Sequence, residues 1–364
     1  MNKQVVIAVM ILFVTTGFAG LLAESSDGAG GFDVTDGTGR TFHYDRPSDH
    51  VILAGFAVTL TVVDLGLAYK IVATDTYGGY SYYKDPKLEM IRDVPSIGSI
   101  GSSANNSFLI AQLVQWVEEG RMSLDDTVIF TTYVTNGTVL RDALEKEGFT
   151  HILMWGSITE YGKIADMVDS VSMALTGKIS TLAEEMRLVE KEVAEKTAGL
   201  EKRKAIFVWW SATAGFKVGK TGSLAVSMIE AAGGESLGKS NASGGTYGDA
   251  NTIIQLLDND RDALILLDSS YCKEHGIDKF RTDVLAGDKD INILGMEQTW
   301  NNYCPESMDG LWAIAGELYP ELFDGVDRPK VYGDGQNNTM TYLALGAAAV
   351  IAIIALAVYF ARKL

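Results

Sequence analysis

The sequence predicts an α/β protein of two Rossmann-like lobes with parallel sheets, joined by one long rigid helix and followed by a C-terminal transmembrane helix. Three observations carry this. Short apolar, β-rich runs alternate with helix-length segments in two sets, the pattern of parallel strands with crossover helices. Between the sets lies a stretch with no strand pattern, whose apolar residues recur every three, four or seven positions. Near the end, the uncharged run Met340–Phe360 is followed at once by Ala361-Arg362-Lys363-Leu364.

At the other end, Met1-Asn2-Lys3 precedes the apolar run Val5–Leu22, which ends in Ala23 before the polar Glu24-Ser25-Ser26-Asp27-Gly28. A short positive region, an apolar region and a small-residue cleavage site in that order describe a signal peptide over residues 1–23, cut near Ala19 or Ala23. The run is long for a signal, so an uncleaved second anchor stays open as the alternative. Either reading exports the middle of the chain. No cysteine stands at the cleavage region to take a lipid anchor, so the tether falls to residues 340–360. That run, at about 1.5 Å per residue, just spans a bilayer core of about 30 Å, and Arg362-Lys363 holds its end in the cytoplasm. The expectation is a single-pass protein of the cell membrane with a large extracellular domain.

The first lobe, residues 24–158, takes strands at His50–Ala54, Ile71–Thr74, Val128–Thr132 and His151–Trp155. A helical region follows over residues 159–204. In it, Ile179, Leu182, Met186, Val189, Val193 and Leu200 form one apolar seam, with Glu184, Glu185, Lys191, Glu192, Glu195 and Lys196 on the other face. That is an amphipathic helix of about 22 residues and about 33 Å, a strut between lobes. An ordinary crossover helix inside one large sheet is the alternative. The second lobe, residues 205–330, takes strands at Ala205–Trp210, Ala263–Leu267 and Ile291–Leu294, and residues 331–339 form a polar linker.

A net charge of −17 over 364 residues excludes nucleic acid and anionic lipid surfaces as partners of this domain. Cys272 and Cys304 are the only cysteines. In an oxidising exterior they could pair and close a loop of about 30 residues, or remain two buried thiols; sequence leaves both open. Sequons at Asn105, Asn136, Asn241 and Asn337 are glycosylation candidates if the domain is exported. The four histidines, His43, His50, His151 and His275, show no metal-type spacing, and no Gly-x-Ser-x-Gly elbow occurs. Ala214–Thr221 brushes against a phosphate-binding loop but has Ala214 where that loop needs glycine. The reading is therefore no enzyme, no catalytic residue, no resident metal and no cofactor.

Several stretches, in order, resemble one family. Phe32-Asp33-Val34-Thr35-Asp36-Gly37-Thr38-Gly39-Arg40 is similar to its opening hairpin, and Arg46-Pro47-Ser48-Asp49-His50-Val51-Ile52 to the lead into its first core strand. Leu65–Asp75, Met173–Lys178, Ser223-Leu224 with Ile229–Gly234, and Leu318–Phe323 resemble its second strand, the approach to its backbone helix, its second-lobe helix and turn, and its closing segment. The family is that of ABC-transporter substrate-binding proteins of the helical-backbone class, which capture cobalamin, ferric siderophores or haem, here in a membrane-anchored, archaeal-like form. The likeness covers nearly all of residues 32–325. It implies a small-molecule metal complex as ligand and an ABC permease and ATPase as partners. Where the family often carries docking glutamates, this chain has Asn105-Asn106-Ser107-Phe108 and Asp249-Ala250-Asn251-Thr252.

In two-lobed α/β proteins the ligand lies at the carboxyl ends of the strands. The loops there are aromatic. The candidate ligand-binding residues are Tyr77, Gly78, Gly79, Tyr80, Tyr82 and Tyr83 with Trp155 on lobe one, and Trp210, Trp300 and Tyr303 on lobe two. Stiff, amphipathic rings suit a broad planar ligand such as a tetrapyrrole. Anionic siderophores call instead for several cations, and only Lys84, Lys217 and Lys220 lie near these loops in sequence. Three function classes follow: a receptor feeding an ABC importer, a surface receptor or adhesion protein without a permease, and an extracellular enzyme.

Overall fold

The computed structural model describes residues 31–99, 103–132, 137–239 and 245–331. The expected signal peptide, almost all of the linker, the anchor, and Asn136, Asn241 and Asn337 lie outside them, as does the side chain of Asn105. Among the described residues no helix is long and apolar enough to cross a membrane.

An antiparallel hairpin, β1 (Phe32–Thr35) and β2 (Thr41–Tyr44), opens the chain. Lobe one then runs β3 (His50–Ala54), α1 (Phe56–Asp64), β4 (Ile71–Thr74), the short α2 (Tyr80–Tyr83), α3 (Ser103–Glu118), β5 (Thr127–Thr131), α4 (Gly137–Lys146) and β6 (His151–Met154). Its strands lie in the order β4-β3-β5-β6 and are all parallel, as long crossovers require. Asp36 fastens the hairpin to this sheet. One carboxylate oxygen accepts from Thr38 and Arg40 N–H and the other from Met154 N–H at 3.0 Å.

Two helices lead to lobe two. The first, α5 (Gly162–Thr176), ends at Gly177 in the left-handed region that glycine favours, and α6 (Thr181–Thr197) follows. At 17 residues α6 is shorter than the expected strut. Ser180 starts it by accepting from Leu182 and Ala183 N–H, and Ala198 leaves helical geometry at the other end. Ile179 and Leu200, the ends of the apolar seam, are therefore exposed.

Lobe two runs β7 (Lys204–Ser211), β8 (Gly215–Gly219), α7 (Leu224–Ala231), β9 (Glu235–Ser236), β10 (Thr246–Tyr247), α8 (Ala250–Asp258), β11 (Leu264–Leu267), α9 (Ser269–His275), α10 (Ile277–Val284), β12 (Ile293–Gly295), α11 (Ser307–Leu318) and α12 (Pro320–Phe323). Its sheet, in the order β10-β8-β7-β11-β12 with β9 also beside β7, is mixed rather than all parallel. The chain between β7 and β8 is too short for a crossover, so β8 returns antiparallel, and β10 pairs antiparallel to it.

The inner and outer faces of each strand set the architecture. On β3, Ile52 and Ala54 face α3 and α4 in one apolar cluster, while Val51 and Leu53 face the opposite way. On β7, Ile206 and Val208 face the outer helices α8 and α10, while Ala205 and Phe207 face inward. The inward faces of both sheets belong to one continuous core, together with Ala183, Met186, Val189 and Val193 of α6 and Leu311, Ile314 and Ala315 of α11. Helix α6 is thus bedded between the lobes against α5, α7 and α11, not free-standing. Arg328 closes this layer from the C-terminal side with ion pairs to Glu185 at 2.6 Å and Asp309 at 2.8 Å.

A shared core resists hinge motion because opening it would expose apolar surface at about 25 cal/mol per Å². Small-angle scattering with and without a bound ligand should therefore show almost the same radius of gyration. A large compaction on binding would argue against the shared core as a brace.

Candidate ligand cleft between the lobes

The carboxyl ends of the strands of both sheets converge on a cleft of about 1070 Å³. Lobe one supplies its wall from Tyr82 to Lys87, lobe two supplies the start of α9 and the loop after β12, and Glu306 closes the floor.

The lobe-one wall is held by Asp75, the residue after β4. Its carboxylate, fully buried, accepts from Gly55 N–H at 3.0 Å and Gly78 N–H at 2.6 Å, so the loops leaving β3 and β4 are tied together. Gly55 must be glycine: its φ is 121°, and a Cβ there would meet Thr132 Oγ1 at 2.3 Å. From this anchor the chain turns into a ring cluster. Tyr77 meets Tyr82 edge-on at 4.9 Å, Tyr82 meets Tyr83 edge-on at 4.7 Å, and Tyr83 packs on Phe56 at 3.9 Å. Burial, then Tyr82, Asp75 and Tyr303, push the Tyr83 phenol up to about 12. Tyr303 is held at φ 52°, a left-handed backbone seldom taken by a side chain of that size.

The sequence candidates divide. Tyr82, 53% exposed, and Tyr83 line the cleft. Tyr77, Gly78 and Gly79 shape the loop behind them, and Tyr80, outside the cleft lining, accepts a hydrogen bond from Arg92 at 3.1 Å. None of the three tryptophan candidates lines the cleft, and neither does Tyr303. Trp155 is buried beneath the hairpin, where a Cβ on Gly37 would meet its ring at 2.7 Å. Trp210 lies on the outer face of β7 in an aromatic cluster with Tyr271 and His275, at 5.3 and 5.2 Å. It is Trp209, next along the strand, that faces the inner core bordered by Trp300 and Tyr303. Trp300 packs on α11, whose Gly310 has no room for a Cβ beside it.

The cysteines do not pair. Cys272 sits on α9 at the cleft wall, its thiol pushed up to about 11 by burial and then by Asp268 and Glu297. Cys304, fully buried, donates to Thr299 O in the turn before α11. Of the lysines near the aromatic loops, Lys217 donates to Gly248 O and Lys220 is buried, and neither lines the cleft. Asp249, the acidic residue at a docking position, caps α8 by accepting from Thr252 N–H.

Sequence reasoning missed the floor. Lys87 donates to Asp64 of α1 at 2.9 Å and to Glu306 of lobe two, joining the lobes by charge-assisted bonds. Burial and then the Glu306 charge push Asp64 up to about 7, whereas the Lys87 hydrogen bond and charge outweigh burial and hold Glu306 below its usual value. No local motif marks these residues, because Lys87 and Glu306 are 219 positions apart.

Burial also pushes Asp75 up to about 6, against the lowering effect of its hydrogen bonds from Gly78, Gly55 and Tyr77. The folded state therefore keeps a proton that the unfolded chain, at 3.8, has already released. This contribution to stability is complete below about pH 4 and is lost as the pH rises through about 6. Denaturation midpoints of Asp75→Asn should show a flatter pH dependence than wild type over that window; an unchanged slope would place the titration elsewhere.

No family model matches the sequence, and no curated protein matches it. Solved structures do. The periplasmic heme-binding protein RhuT from Roseiflexus sp. RS-1 superimposes with a TM-score of 0.54 over 75% of this chain and 98% of its own, at 13% identity. Helicobacter pylori CeuE with Ni(II) bound gives 0.58 over 81% and 91%, at 18% identity. The periplasmic vitamin B12-binding protein BtuF of Vibrio cholerae gives 0.55 over 75% and 98%, at 14% identity. The chain has the fold of these binding proteins. Identity this low carries the fold alone, and the cleft's own residues must carry anything further.

Proposed function

We propose that this protein is an extracytoplasmic solute receptor of an ABC importer, which captures a metal complex in the interlobe cleft and passes it unchanged to a permease. The observation that carries this is the cleft itself: about 1070 Å³, walled by both lobes at the carboxyl ends of their strands, with Tyr82 and Tyr83 on one side and Glu297 to Thr299 on the other. The named ligands of proteins with this fold, heme, vitamin B12 and Fe3+-hydroxamate, support a cobamide, another tetrapyrrole or a ferric siderophore as the class. Export by residues 1–23 and tethering by residues 340–360 rest on the sequence pattern and complete the reading.

A thermal-shift screen of the full chain in mild detergent against cobamides, hemin and ferric siderophores tests it. Ligand at 100 times its Kd should add about 2.7 kcal/mol of stability. A shift with a simple sugar, an amino acid or a bare metal ion, and with none of the complexes, would sink the assignment. The engagement of Asp249 as a helix cap favours a second reading, a surface receptor of the same fold without a permease. Co-purification of a permease with the full chain would decide between the two.

A further inference from the structure

Resting on that reading of the cleft, we propose that it selects metal complexes that are neutral or positively charged and rejects polyanionic ones. The charges that line it are Asp85, Glu274, Glu297 and Glu306 against Lys87 and Lys273. Lys87 is already engaged by Asp64 and Glu306, which leaves Lys273 to face the other three carboxylates. The two carboxylates on the exposed wall, Glu274 and Glu297, oppose an approaching anion directly.

The floor adds to this repulsion. Glu306 is 9% exposed, and its Oε2 is enclosed beside Asp64 and the Cys304 thiol. Its negative charge beneath the cleft repels a carboxylate carried by an incoming ligand. The N-terminus of α9 on the lobe-two wall is already occupied: Asp268 accepts from Ser270 N–H at 2.9 Å.

Equilibrium titrations of the full chain with cyanocobalamin, hemin and a ferric tris-catecholate compare a neutral, amide-rimmed complex with a carboxylate-bearing one and a trianion. Cyanocobalamin should bind at least tenfold tighter than the tris-catecholate, with the gap narrowing as salt is raised. The double variant Glu274→Lys/Glu297→Lys, at exposed positions clear of the core, should improve tris-catecholate binding at least tenfold. A trianion that binds wild type more tightly than the neutral complex, or a double variant that leaves its affinity unchanged, overturns the proposal while the receptor function stands. If none of the three complexes binds, it is the reading of the cleft as their site that fails, and the proposal with it.

Discussion

Replacing Lys87 with Met should destabilise the protein by about 2–3 kcal/mol and lower its melting temperature by several degrees, as measured by calorimetry of the full chain. The side chains of Asp64 and Glu306 are 16% and 12% exposed, and Lys87 is the cation held between them. Without it, two carboxylates face each other in a setting that solvates neither well, and removing one partner of such a group costs more than the group contributes intact. The lower end of the range applies because Lys87 itself is 45% exposed. The sign with pH follows. Loss of the cation raises both carboxyls, so the destabilisation should be largest near neutrality and shrink as the pH falls and the carboxyls protonate. The double variant Lys87→Met/Glu306→Gln should recover much of the loss. If Lys87→Met melts with wild type at pH 7, the floor makes no contribution to holding the lobes together.

Tyr83→Ala should weaken the tightest-binding metal complex about 30-fold, the loss of about 2 kcal/mol expected for a well-buried aromatic contact. Tyr83 is braced by Phe56 and Tyr82, so its ring is presented with little rotamer entropy left to lose. Trp210→Ala is the contrasting variant. Its ring fills the outer cluster with Tyr271 and His275, so truncation should lower the melting temperature and leave affinity unchanged. The reverse pattern, affinity lost with Trp210 and kept with Tyr83, would move the ligand to the other face of the lobe-two sheet.

The tyrosine loop stands out in the sequence because its signal is local. Gly78-Gly79 and Ser81 break any buried period in the tyrosine run, and the structure keeps Tyr82 and Tyr83 at the surface of the cleft. The tryptophans were harder. On a strand, neighbouring residues face opposite sides, and nothing local says which side holds the ligand, so Trp210 was expected where Trp209 faces inward. The lobe-two sheet turned out mixed for a similar reason: Gly215–Gly219 carries too few apolar residues to read as a strand, yet pairs residue for residue with β7.

The sequence by itself determined the alternation of strands and helices, and with it two sheets with helices between them, because periodicity and chain length depend only on near neighbours. It also determined the strong negative charge and the terminal apolar runs. Only the tertiary structure decided what those elements share. The inner faces of both sheets close on one core around α6, the cysteines end up on different elements and remain free, and Lys87 meets Asp64 and Glu306 across the lobes. Each of these joins residues that lie far apart in the chain, and such contacts are set by the energy of packing whole surfaces together, to which no local pattern answers.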